Sequence, residues 1–189
     1  MYWILSNELV DEDRDADLCG TFTTNLGDGI NFDDGDQVPS SVTKAVYTLT
    51  EPLKGNLTDH LSIDEIPGLV FSDRLCQLLH NMMVTNVQYF PLAIINPAQG
   101  DTINDYKIAN IVGVVDCVNR ELSDLEYFDD GDIEFVNKLV LDEGAIPSDL
   151  DIFRLAGRTT MVVVSQVLKD AIVGSGMTGC VFYKPEDYH

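Results

Sequence analysis

Residues 152–176, IFRLAGRTTMVVVSQVLKDAIVGSG, hold two apolar runs followed by one helical stripe. IFRL (152–155) and the β-branched run TMVVV (160–164) have strand composition. Ser165 then offers a side-chain oxygen to the first free amides of a helix. Val167, Leu168, Ala171 and Ile172 recur at a spacing that puts them on one helical face. Gly174 and Gly176 close it, because glycine tolerates the left-handed conformation of a helix terminus.

The same preponderance of strands holds outward from this stretch. Residues 72–84 form the clearest helix. Ser72 or Asp73 caps it, and Leu75, Leu78, Leu79 and Met82 form its apolar stripe. Residues 2–5, 44–50, 87–95, 133–141 and 180–183 read as strands. Within them Val46 and Tyr47 fall on opposite faces, and Pro91 interrupts its strand or marks an edge. Residues 108–118 are nearly continuously apolar and read as one central strand. Residues 20–41 are rich in turn formers, and 51–68, with Pro52, Gly55, Pro67 and Gly68, is a long connection. Strands outnumber helices and do not alternate regularly with them. The expected class is therefore α+β, a mostly antiparallel or mixed β-sheet with two main helices packed on it. One domain is expected over residues 1–189, with an acidic N-terminal third at 1–60. A chain of this size buries roughly 70% of its unfolded surface and folds without staples.

Charge narrows the function. Thirty-two Asp and Glu oppose eleven Lys and Arg, a formal net charge of −21. Such a field repels phosphate backbones and anionic lipid, so nucleic acid and membrane are excluded as direct partners. A basic protein is favoured, because opposite fields speed encounter, although the same acidity could serve solubility alone. Cys19, Cys76, Cys117 and Cys180 are far apart, without a C-x-x-C pair, and read as buried free thiols rather than zinc ligands. No basic segment leads into an apolar one at the start, and no apolar run approaches ~20 residues. A reducing cytoplasm is the expected location.

The motifs that could carry chemistry are few. FDDGD occurs twice, at 32–36 and 128–132, and each Asp-Gly signals a turn. Asp11, Asp13 and Asp15 alternate like calcium ligands. However, Ala16 stands where an EF-hand needs glycine and Phe22 where it needs glutamate. Cys76 and His80, four apart on the helix, could share a face as nucleophile and base, but a core thiol and a boundary histidine explain them more simply. Tyr89, Phe90 and Phe153 lie in apolar strands and read as core. No nucleophile elbow, zinc-helix, P-loop or dinucleotide string is present, and no cofactor is expected.

The later sequence has a further likeness. DYKIANIVGVVD (105–116), IFRLAG (152–157), VVSQVLKDAI (163–172) and GMTGCVF (176–182) occur in an order similar to immunity family eleven of bacterial polymorphic toxin systems, as do SDRL (72–75) and YFPL (89–92). The resemblance covers about residues 60–183 and rests on strand hydrophobes, a helix cap and closing glycines. It implies a non-catalytic protein that binds and neutralises a cognate toxin, and it carries over no active-site residue. An acidic inhibitor of a basic toxin agrees with the charge. On charge density the expected contact surface is the stretch 11–17 (Asp11, Glu12, Asp13, Asp15, Asp17) and the loop 124–134 (Asp129, Asp130, Asp132). The alternatives are a small enzyme using Cys76 and His80, or a calcium-responsive module. Oligomeric state is left open.

Overall fold

A computed structural model describes residues 1–7, 14–24, 30–39, 41 and 44–188. The first half holds β1 (Tyr2–Ser6), β2 (Asp17–Leu18), β3 (Gly20–Phe22), β4 (Ala45–Leu49), β5 (Ser62–Ile63), β6 (Leu69–Ser72), α1 (Asp73–Asn81) and β7 (Val87–Asn96). The second holds β8 (Asp101–Ile111), β9 (Val114–Val115), β10 (Asp124–Tyr127), β11 (Ile133–Lys138), β12 (Ile152–Leu155), β13 (Arg158–Ser165), α2 (Gln166–Gly174) and β14 (Val181–Tyr183). The expected α+β class holds, with two helices on mixed and antiparallel sheets.

Two five-stranded sheets dominate, with orders β14-β1-β13-β12-β9 and β3-β4-β7-β8-β6. Each is mostly antiparallel with one parallel pair, β12–β9 in the first and β4–β7 in the second. Strand alternation buries both faces of each sheet. In β13, Val162 and Val164 face one core, and Met161 and Val163 another. In β8, Ile108 and Ala109 divide in the same way. The middle core joins the sheets. Leu75, Cys76 and Leu79 of α1 and Leu168 and Ile172 of α2 pack there against Phe71, Ile111 and Val162. Ser72 and Ser165 are the helix caps, each accepting 3.1 Å from the amide three residues on.

Several expectations need correction. The apolar run 108–118 is not one strand. β8 ends at Ile111 in the second sheet, and β9 lies in the first. The chain changes sheets through Gly113, whose φ of +114° suits glycine best. β8 also begins earlier than hydrophobicity suggests, because Asp101, Thr102 and Ile103 pair with the end of β7 in a hairpin. Residues 124–134, expected as a loop, are mostly the β10–β11 hairpin. Val167, assigned to the buried stripe of α2, is 63% exposed. Cys19 is exposed, while Cys76 and Cys117 are buried as expected and Cys180 is partly so. Pro91 is internal to β7, but β4 begins to pair only at Leu92, so the proline sits where that side of the strand is uncovered.

The long connection 51–68 carries structure of its own. β5 pairs with β2, and His60 bridges Phe71. His60 is 1% exposed, and its ring meets Phe71 edge-on at 5.0 Å. Neither ring nitrogen has a hydrogen-bond partner among the described residues. Burial pulls its pKa from 6.5 down to about 3. Only the unfolded chain therefore takes up this proton between those values, and stability falls as pH drops below 6.5. At pH 5 the expected loss is about 2 kcal/mol relative to pH 7.5. His60→Phe should remove that loss, which paired denaturant titrations at the two pH values would measure.

Candidate partner-binding surface

The β10–β11 hairpin is held from one side. Ile133 and Val136 are buried, and Leu125 partly so, in the core that contains Cys117, Leu139, Phe153 and Leu155. At its tip the Phe128 amide donates to the Asp132 carbonyl (2.8 Å), and the Gly131 amide donates to the Phe128 carbonyl (3.0 Å). Gly131 has φ +96° and open space around it, so its conformation selects glycine there rather than any lack of room.

The exposed surface of the hairpin is unusual. Tyr127, Phe128 and Phe135 are 44%, 51% and 56% exposed. Among the described residues these are the exposed Phe, Tyr and Trp side chains, and all three fall within nine positions of one hairpin. Asp124, Glu126, Asp129, Asp130, Asp132 and Glu134 are interleaved with them, opposed within the hairpin by Lys138. An open depression of about 560 Å³ lies between its tip and the start of β13, lined among others by Phe128, Asp130, Asp132, Glu134, Arg158 and Thr160.

The identical pentapeptide at 32–36 has a different fate. Phe32 is fully buried and meets the Phe90 ring at 5.1 Å. Asp33 pairs at 3.0 Å with Arg154, whose side chain is fully buried. A Cβ on Gly35 would stand 2.4 Å from a methyl of Val114. Both copies turn the chain, but the first is interior structure and the second is surface.

Of the other expected contact residues, Asp11, Glu12 and Asp13 lie outside the described residues. Asp15 forms an isolated bridge with Asn56, and Asp17 accepts a hydrogen bond from the Ser62 hydroxyl at 2.7 Å. Their neighbour Leu18 anchors in the core of the second sheet, whereas the hairpin anchors in that of the first. The two acidic segments therefore stand on different cores. The aromatic component of the hairpin was missed in the sequence because Phe128 and Phe135 read equally well as core.

Cys76 and His80 do share a depression, of about 370 Å³, with Asp73, Gln77, Tyr89 and Lys107. Burial pushes the Cys76 thiol up to about 12. It is therefore held as the weakly nucleophilic thiol at neutral pH. Lys107 is paired with Asp73 across the same depression.

The model of the immunity protein family (Imm11) matches residues 16–187. The chain belongs to that family. No curated protein matches it. The Imm11 match reaches further towards the start than the likeness at 60–183, and it takes in the β2–β5 pair and both FDDGD turns. Asp17, Asp129, Asp130 and Asp132 fall within the matched span, and Asp15 lies one position before it. Among the described residues of this Imm11 chain, no helix is long and apolar enough to cross a membrane.

Proposed function

We propose that this Imm11 chain protects the cell that makes it by binding a cognate toxin in the cytoplasm, that the toxin is basic where it is touched, and that inhibition comes from occupation of the toxin rather than turnover of a substrate. The observation that carries this reading is a net charge of −21 on a chain of the immunity family. A toxin that acts on nucleic acid needs cations where it holds phosphates, and carboxylates can stand in for those phosphates. Asp11, Glu12, Asp13, Asp15 and Asp17, together with Asp129, Asp130 and Asp132, are the proposed contact acids. The raised thiol of Cys76 argues against nucleophilic catalysis at the one cysteine–histidine site the sequence offered.

The test is association with the toxin encoded beside this chain. Two fields of opposite sign accelerate encounter, and salt screens them, with a Debye length of about 10 Å at 0.1 M and about 3 Å at 1 M. Stopped-flow mixing should show the association rate falling about tenfold or more between 50 mM and 500 mM salt, while the dissociation rate changes little. An association rate indifferent to salt would remove the electrostatic part of the reading.

A further inference from the structure

We infer that the exposed surface of the β10–β11 hairpin, which carries Tyr127, Phe128 and Phe135 among six acidic side chains, is the docking element for a cationic face of the toxin. This rests on the reading of the chain as a toxin-binding protein and names the part of the surface that does the binding.

Aromatic exposure is the first strand of the inference. The hairpin already has Leu125, Ile133 and Val136 to hold it against the body of the protein. Folding therefore does not require Phe128 and Phe135 as well, and leaving them in water forgoes the burial that large apolar side chains normally gain. Single exposed hydrophobics are ordinary, but three aromatics confined to one hairpin, with the other aromatics of the described chain at least partly buried, are not scattered exposure. Aromatic side chains are also the type that concentrates binding energy at protein interfaces.

Charge selects the occupant. Phe135 stands opposite Glu126 in the hairpin register, and Phe128 is followed directly by Asp129 and Asp130. A neutral apolar partner would strand these carboxylates without counter-charge, whereas Lys or Arg side chains can lay their aliphatic stems on aromatic rings and present their heads to the acids. The depression beside the hairpin tip, lined by Phe128, Asp130, Asp132 and Glu134, has room for such a side chain. Arg158 also lines it, donating to the Glu134 carbonyl at 3.2 Å, which leaves the carboxylates in excess.

The experiment measures affinity for the adjacent-gene toxin, using its purified toxic domain, by interferometry with the full-length chain, Phe128→Ser, Phe135→Ser and, as a control on another exposed apolar residue, Val167→Ser. Thermal unfolding of each variant checks that the fold is kept. The expected result is a loss on the order of 30-fold or more for either hairpin variant and less than about twofold for V167S. If the unaltered chain binds and the hairpin variants bind within twofold of it, the hairpin is not the docking element and the toxin-binding reading stands. If the unaltered chain does not bind, that reading fails and takes the hairpin assignment with it. Sedimentation supplies one more outcome. A dimer of the chain alone that F135S dissolves would show the hairpin covered by a second copy and overturn the assignment to toxin.

Discussion

Replacing Arg154 with alanine should destabilise the fold by about 3–5 kcal/mol, the range for removing one member of a buried ion pair. The guanidinium is fully buried, and it joins parts of the chain far apart in sequence. Nη2 lies 3.0 Å from a carboxylate oxygen of Asp33 and donates to the Phe32 carbonyl at 2.8 Å, while Nη1 donates to the Thr159 carbonyl at 2.6 Å. It thus fastens the first FDDGD turn, whose phenylalanine fills the core of the second sheet, to β12 of the first sheet. Alanine would leave a side-chain-sized void and three acceptors without their donor. The pair is not stabilising merely because it is a pair. Desolvation is the leading influence on both groups, raising the pKa of Asp33 and lowering that of Arg154, and each partner offsets this only in part. A double variant, Arg154→Met with Asp33→Asn, removes both charges while keeping most of the volume. It should cost clearly less than the sum of the single changes, with a coupling of about 1–3 kcal/mol. Urea midpoints at constant slope would measure the cycle. Strict additivity would show that the two groups act independently.

Arg154 also shows what the sequence could not tell. Two identical FDDGD strings lie 96 positions apart, one inside and one outside, and nothing in either string says which. The difference comes from a guanidinium on β12, a tertiary fact. Local signals were legible where local chemistry decides structure. Ser72 and Ser165 cap their helices because a hydroxyl beside free amides works in any surroundings. The alternation in Ala45–Leu49 was legible because a sheet with buried faces enforces it. The split of residues 108–118 was hidden, since an apolar run reads the same whether it stays in one sheet or crosses to another. The second arm of the hairpin, with Ile133 and Val136, was legible as a strand, but the first arm was hidden by its own acids, which are depleted in strands, so that Leu125 looked like a stray hydrophobe in a loop. The hairpin's aromatics then became informative only once the fold failed to bury them. The stretch 51–68 looked like connection because its turn formers outnumber its hydrophobes, yet it contains His60 and Asp59, both buried.

Asp59→Ala should cost about as much as the loss of Arg154, roughly 3–5 kcal/mol, for a different reason. Its carboxylate is a nearly buried acceptor for four donors. One oxygen receives the Ser72 hydroxyl at 2.7 Å. The other receives the Thr178 amide at 2.9 Å, the Thr178 hydroxyl at 3.2 Å and a guanidinium nitrogen of Arg74 at 3.3 Å. Ser72 is at the same time the cap of α1. Its single hydroxyl proton goes to Asp59, which leaves a lone pair for the Leu75 amide. Arg74 also donates to the carbonyls of Ser175 and Gly176 just past α2. One carboxylate therefore fixes the orientation of a helix cap, the turn before β14 and the approach of α1 to the end of α2. Graded variants separate these contributions. Ser72→Ala loses a cap and one charged hydrogen bond, together about 2–4 kcal/mol. Thr178→Val keeps the amide that donates to Asp59 but loses a hydroxyl that both donates to the carboxylate and accepts from the Asp59 amide at 3.1 Å, and it should cost about 1–3 kcal/mol. Asp59→Asn keeps acceptor capacity on one atom but turns an NH₂ towards donors, so it should recover only part of the alanine loss. Hydrogen exchange supplies the deciding measurement. In Asp59→Ala, protection should fall together in the first turn of α1 and at Thr178, residues more than 100 positions apart, before it falls in β7 or β8. If protection falls uniformly instead, Asp59 contributes to global stability without coupling these segments, and its role as their common anchor is wrong.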